Sequence, residues 1–344
     1  MDSSIWETKQ ERLHSHSDSR GRNASKPSDL PAKGWKDVLF RIKDAISEDL
    51  VSTNAAAMAY YIFLAIVPAL TSLVLIYAWI ADPAEIQEHF SKINQIIPAE
   101  ISNIINEQLV DLSSKNPGNS LGFGALAALF FALWSASKGN TAFMDALNVI
   151  YGEKDDRGFI KRTFMAIGMT FIGTIMGLLA IGVIVFYPNV IDFFPLPEIV
   201  KTVAGVGSWV ILLALFSAYL SFCYRFGPDR KKAKWRWVSW GAAFAAIAWA
   251  LVSAGFSWYA SEFGNFNKTY GSMAAIVVLM MWLYISSFAI LIGAEINSET
   301  EHQTAKDTTE SPDEPLGDRG AYVADTVGRP QGKDANDDQP INYQ

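Results

Sequence analysis

A single cysteine, Cys223, occurs among 344 residues, which excludes an internal disulfide and any metal site built from several thiolates. It lies in an apolar stretch and reads as a packing residue. Histidine is scarce as well. His14, His16, His89 and His302 all fall outside the apolar stretches, so none is placed to relay protons at membrane depth. Only 18% of the residues are charged, fewer than a soluble domain usually carries. There is no Walker loop and no dinucleotide fingerprint, which excludes ATP-driven work by this chain alone. HSHSD, with His14, His16 and Asp18, copies the start of the HxHxDH motif of metallo-β-lactamase-type nucleases. Ser19 stands where the last histidine belongs, and no later histidines complete a two-metal site. The chain is therefore read as no enzyme, with no cofactor and no metal.

Apolar residues are abundant, at 50%, and the mean hydropathy is +0.16. They gather in six stretches of about 20 residues, the length a helix needs to cross ~30 Å of hydrocarbon. The predicted spans are 55–80, 121–140, 163–187, 203–225, 238–260 and 273–294. The fold class is all-α, a polytopic membrane protein with a transmembrane domain over 54–298. Residues 1–32 read as a disordered arm with no feature of a cleavable signal peptide, and 299–344 as a disordered acidic tail. Between 33 and 53, Trp35, Val38, Leu39, Ile42, Ala45, Ile46 and Leu50 recur at helical spacing beside Lys33, Lys36, Arg41 and Lys43, predicting an amphipathic interfacial helix. In 81–120, Phe90, Ile93, Ile96, Ile97, Ile101, Ile104, Ile105 and Leu109 predict two short amphipathic helices broken by Pro98, forming an outer cap.

Positive residues near spanning helices stay on the cytoplasmic side. The N-terminal region, the 138–162 and 225–237 connections and the tail hold nine, five, six and four Lys and Arg; the intervening segments hold two, one and one. Both termini are accordingly expected in the cytoplasm. From Asn297 onward, 11 acidic residues face 4 basic ones, a balance of −7 that equals the net charge of the whole chain. The low pI thus belongs to the tail.

Polar groups at membrane depth raise functional hypotheses. Lys138 ends the second span beside Asn140; it either snorkels to the headgroups or faces the bundle and holds an anionic group. Asp145 and Asn148 continue that stripe, which a solvated helix extension explains equally well. Tyr60, Tyr61 and Pro68 sit in NAAAMAYYIFLAIVP, either a kinked packing helix or a bent helix beside a cavity. Gly173 and Gly177 form a GxxxG pair suited to tight helix contact, with homo-oligomerisation as one use. GNFNKTYG places Asn267, Lys268 and Tyr270 in a turn that either grips a polar headgroup or ties two helices. Glu295 nears the end of the last span, where Lys138, Arg225 or Arg230 could pair with it. Arg225, Arg230, Lys231, Lys232, Lys234 and Arg236, interleaved with Trp235 and Trp237, are expected to contact anionic lipid headgroups rather than nucleic acid.

Three blocks resemble one family. AAAMAYYIFLAIVP, ALWSASKGNTAFMDALNVIYGEKDDRGFIKR and the run from YRFGPDRKKAKWRW to LIGAEINSE together resemble the YihY/virulence factor BrkB family of bacterial inner-membrane proteins, over about residues 35–300. The resemblance implies six spans with both ends in the cytoplasm of a multi-pass inner-membrane protein. It also brings an old ribonuclease BN label, and links of some relatives to serum resistance and to altered lipopolysaccharide precursors, which imply handling of an envelope lipid or glycolipid. Ala65 departs from the serine that the family usually carries there. The expectation is a transporter or flippase of an envelope amphiphile, its path among the first, second and sixth spans, lined or gated by Tyr60, Tyr61, Pro68, Lys138, Asn140, Asp145, Asn148, Asn267, Lys268, Tyr270 and Glu295. The alternative is a non-transporting scaffold or lipid-binding protein.

Overall fold

The structure is a computed structural model that describes residues 19–80, 119–193, 197–262 and 273–330. Its long helices are α1 (Ala32–Glu48), α2 (Val51–Ile80), α3 (Asn119–Ile150), α4 (Phe159–Phe193), α5 (Glu198–Phe226), α6 (Trp235–Glu262) and α7 (Met273–Glu301), followed by the short α8 (Tyr322–Asp325). Helices α2 to α7 each contain one of the six predicted stretches. Apolar residues on every face make them helices that bury no single stripe. Among the described residues, stretches of α4, α5, α6 and α7 are long and apolar enough to cross a membrane, and a fifth exists if α1 and the first part of α2 count together. The chain is an all-helical membrane protein. The predicted outer cap, with the Asn267, Lys268 and Tyr270 turn, lies outside the described residues.

The six helices close into a ring: each of α2 to α6 packs against its successor, and α7 returns to α2. At ~1.5 Å per residue, α3 is about 48 Å long, more than the ~30 Å hydrocarbon layer requires. Its excess lies at one end of the ring, where the core sits. Met144, Leu147, Tyr151, Leu220, Cys223, Tyr224, Val238, Ala242 and Leu291 are all buried there. Burial stops along each helix. Among the described residues none is buried beyond Ala65 in α2, before Ser137 in α3, beyond Thr170 in α4, before Leu220 in α5, beyond Ala246 in α6 or before Leu283 in α7. One end of the ring is thus packed, while in α4 to α7 the described side chains farther along are exposed or half-buried. A staircase of rings, Phe216 to Trp249 at 5.0 Å and Trp249 to Trp282 at 6.3 Å, ties α5, α6 and α7 just above the packed end.

Helices α6 and α7 cross with backbones in contact. A Cβ on Gly241 would collide with the Gly293 carbonyl oxygen, and one on Gly293 with that of Gly241, so only glycine fits either position. Asn297 locks this crossing by accepting from the Gly241 N–H at 2.7 Å and donating to the Val238 carbonyl at 2.9 Å.

The expected interfacial helix is α1, but Val38, Ile42 and Ala45 face protein and are buried, because the helix lies against α7. Leu39 and Phe40 stay exposed. A 61° bend separates α1 from α2. Leu50 takes a left-handed φ of 52° there, while Asn54 donates its side-chain amide to the Asp49 carbonyl at 3.0 Å.

The acidic segment read as a free tail is, from His302 to Pro330, laid across the packed end, and the arm from Ser19 to Pro31 lies beside it. Gln303 donates to the Arg20 carbonyl at 2.9 Å, and the peptide N–H of Ala305 donates to the Arg22 carbonyl at 2.8 Å. An antiparallel bridge joins Ala233 to Thr309. Composition suggested disorder because charge was counted without its partners; the basic 225–237 connection supplies them.

Candidate functional site at the packed end

The connection between α5 and α6 drops a cation into the interior. Arg230 and Glu301 are both without solvent exposure, and one guanidinium nitrogen donates to both carboxylate oxygens at 2.8 and 3.0 Å. The Thr308 hydroxyl adds a bond to Glu301 at 2.9 Å, and the guanidinium lies 4.2 Å from the centre of the Tyr151 ring. Burial opposes the charge on Arg230, but Glu301 beside it outweighs that and holds the guanidinium protonated. Two further guanidinium nitrogens and the Tyr151 hydroxyl have no hydrogen-bond partner. Burial pushes the Tyr151 phenol up, so it stays neutral. This is a buried polar cluster with donors to spare.

Glu295 lies on the same interior. It is fully buried, and neither carboxylate oxygen finds a partner. The pairing expected with Lys138, Arg225 or Arg230 is not made. Arg230 is taken by Glu301, and Arg225 reaches Glu310 at 2.9 Å. Lys138 is exposed, with its ammonium 5.1 Å from the Trp134 ring centre. The neighbouring carboxyl is instead that of Asp49, at the α1–α2 bend. Burial pushes Asp49 up to about 6, and Glu299 and Glu48 add to the rise.

The other expected site residues separate. Tyr60 and Tyr61 are exposed and stack edge to face at 5.5 Å. Pro68 lies in α2, with its side chain outside the described part. Asn140 donates to the Thr170 hydroxyl at 2.8 Å and so staples α3 to α4. Asp145 pairs with Arg162. Asn148 is buried and structural: it donates to Asp155 at 3.2 Å and accepts from the Asp229 N–H at 2.7 Å. Side-chain hydrogen bonds from Arg157 hold the Asp155 carboxyl below the usual carboxylate range.

Most of the basic residues assigned to lipid meet protein. Lys231 pairs with Glu314 at 3.0 Å, and Lys234 with Asp313 at 2.7 Å. Lys232 sits 5.0 Å from the Phe226 ring centre, and Arg236 is exposed. A cavity of about 450 Å³ opens beside them, lined in part by Ser25, Lys234, Arg236, Trp237, Asp307 and Arg319. In α4, a Cβ on Gly173 would meet the Tyr219 side chain, so this glycine serves contact with α5 of the same chain, while Gly177 faces open space. Among the described residues, no group of three or more His, Cys, Asp or Glu is arranged for a metal ion.

Residues 42–316 match the family described as Virulence factor BrkB. The chain belongs to that family. Similar proteins include the ribonuclease-like protein YfkH of Bacillus subtilis (strain 168), 32% identical over 72% of this chain and 88% of the relative. Another is a UPF0761 membrane protein of Vibrio campbellii, 28% identical over 75% of this chain and 81% of the relative. No solved structure matches. The matched region runs past α7 to residue 316 and so takes in Glu295, Glu301 and about half of the segment that covers the packed end. Sequence reasoning missed Tyr151, Asp49 and Glu301 as partners of the BrkB interior. The available signal was the polar series Glu295, Ser298 and Glu301, spaced i, i+3 and i+6, which keeps one helical face polar after the apolar stretch ends.

Proposed function

We propose that this BrkB-family chain is a multi-pass protein of the bacterial inner membrane that moves an amphiphile, an envelope lipid or glycolipid, between leaflets. The packed end is the cytoplasmic end, both termini lie there, and all six helices α2 to α7 span. The observation that carries the reading is the asymmetry of burial around a closed ring of helices: one end is sealed, while the described side chains of α4 to α7 beyond it are exposed or half-buried. A ring open on one side offers a polar headgroup a way in while the acyl chains remain in lipid. The charge count along the connections supports the same orientation.

The exposed face of Tyr60, Tyr61, Trp134 and Lys138 on adjoining helices α2 and α3 suits such a ligand, with a cation for phosphate and aromatic edges at the interface. A scaffold acting through a free tail is the poorer reading, since the tail is laid down as far as Pro330. No nuclease chemistry is part of the proposal; the HSHSD segment before Ser19 lies outside the described residues.

The test is reconstitution of the full chain in liposomes carrying a fluorescent phospholipid or glycolipid, with leaflet exchange read by chemical quenching. Exchange well above that of empty liposomes is expected, and Lys138→Ala should reduce it at least tenfold with normal insertion. Rates equal to empty liposomes for both lipid classes overturn the proposal; unchanged exchange in Lys138→Ala removes that residue from the path.

A further inference from the structure

Among the described residues, four ion pairs lie largely buried at the packed end. Arg20 holds Asp37, Arg41 holds Glu299, Arg157 holds Asp155 and Arg230 holds Glu301. Glu295 differs: among the described residues no cation pairs with it, it has no solvent exposure, and the group it meets is the Asp49 carboxyl. An ionised carboxylate in that setting is too costly to persist, so the group must take up something that neutralises it.

What surrounds it selects the ligand. The α1–α2 bend presents the Asp49 carboxyl, with Glu48 next to it. Helix α7 adds Glu299, one turn on, already engaged by Arg41. The end of α3 presents the Tyr151 hydroxyl, also buried and unpartnered. Arg230, from the α5–α6 connection, lies over the Tyr151 ring and belongs to Glu301. Helix α6 approaches through Gly241 and Ala245, which carry no charge. Two facing carboxyls with no cation of their own share a proton more readily than they hold two negative charges.

We propose that Glu295, with Asp49 as its partner across the α1–α2 bend, is a proton-binding site through which a proton gradient governs opening of the packed end. With one proton on the pair, the bend rests against α7 and the floor is sealed. Loss of that proton to water places two like charges in a buried space and drives the bend and α7 apart. The proton goes to solvent and returns from it; no other bond is made or broken. The coupling rests on the transport reading, whereas the proton site itself does not.

The experiment uses the full chain in detergent and reads its thermal midpoint from pH 5.5 to 8.5, in sodium, potassium or choline chloride at equal ionic strength. A group that holds its proton more tightly when folded stabilises the fold at low pH and loses that stabilisation as pH rises. The wild type should lose about 5 °C across this range, and Glu295→Gln, which mimics the protonated acid, should lose about 1 °C while matching the wild type at pH 5.5. Asp49→Asn should shift the wild-type transition to lower pH. The proposal is overturned if Glu295→Gln keeps the wild-type pH profile, or if it fails to fold at pH 5.5, where the protonated form should be its equivalent. It is also overturned if sodium or potassium, but not choline, raises the midpoint of the wild type alone, which would make this a metal-cation site. Leaflet exchange that is absent in the wild type, beside the expected midpoint profile, defeats the transport reading and leaves the proton site standing. Exchange that is present but insensitive to a proton gradient defeats the coupling.

Discussion

The two halves of the helix ring are made from the same kind of helix and treat their side chains in opposite ways. At the packed end, Leu147 and Leu291 have no exposure; in the open half, Leu178 and Leu251 are more than 60% exposed. Composition does not separate them, since each half is rich in Leu, Ile, Val and Ala. What differs is the neighbours. The packed end recruits three segments from outside the ring, the arm, the 225–237 connection and the acidic segment, and these supply charges that close its polar groups. In the proposed reading the open half faces lipid, which accepts apolar side chains without any packing against protein. Rigidity in this molecule therefore comes from polar segments laid over apolar helices at one end.

The sharpest way to break the contrast is to unpair the ion pair beneath the ring. Arg230→Met leaves Glu301 buried with its Thr308 bond but no cation, and should cost about 3–5 kcal/mol in an unfolding titration in mixed micelles. Replacing both partners, Arg230→Met with Glu301→Leu, should recover most of that loss. If the single variant lost less than about 1 kcal/mol, the packed end would not be the stable half.

A pair of leucines measures the same contrast without charge. Leu147→Ala should cost about 2–5 kcal/mol, because α3, α5 and their neighbours cannot fully collapse around the gap. Leu179→Ala, in the half-exposed part of α4, should change stability by no more than about 0.5 kcal/mol. Equal losses in the two variants would mean that the open half is packed in the membrane after all.

How much of this was legible in the sequence follows from the distance over which each feature is decided. The helices were legible because twenty successive apolar residues decide a helix locally, and all six stretches fall inside α2 to α7. The helical extension past residue 140 was legible as well, but it was read as solvated, whereas Phe143, Met144 and Leu147 bury one face of it. The acidic segment was misread for a different reason. Arg225 meets Glu310 85 positions away and Arg230 meets Glu301 71 away, and composition records charges without recording such meetings. Glu295 was picked out in the sequence as a carboxylate near the end of the last span that a cation would pair with. Its expected partners were wrong, because the cations nearest in sequence pattern are claimed by acids that looked like tail.

Acid should loosen the packed end from its rim. His302 is the hinge between α7 and the covering segment, and its Nε2 sits 3.0 Å from the Thr326 hydroxyl. Burial, with Arg41 and Arg22 close by, pushes its imidazole down to about 4. The unfolded chain therefore binds this proton more readily than the folded one: the stabilisation is complete above about pH 6.5 and is lost as pH falls towards 4. Limited proteolysis of the 302–330 segment should accelerate across that window, in the direction opposite to the effect of pH on the Glu295 site. His302→Gln, which keeps a side-chain amide to hydrogen-bond Thr326 and cannot gain the charge, should flatten the acceleration. The two variants together separate the rim from the floor, since His302→Gln leaves the fall in thermal midpoint at high pH untouched, and Glu295→Gln leaves the acid release of the segment as it was.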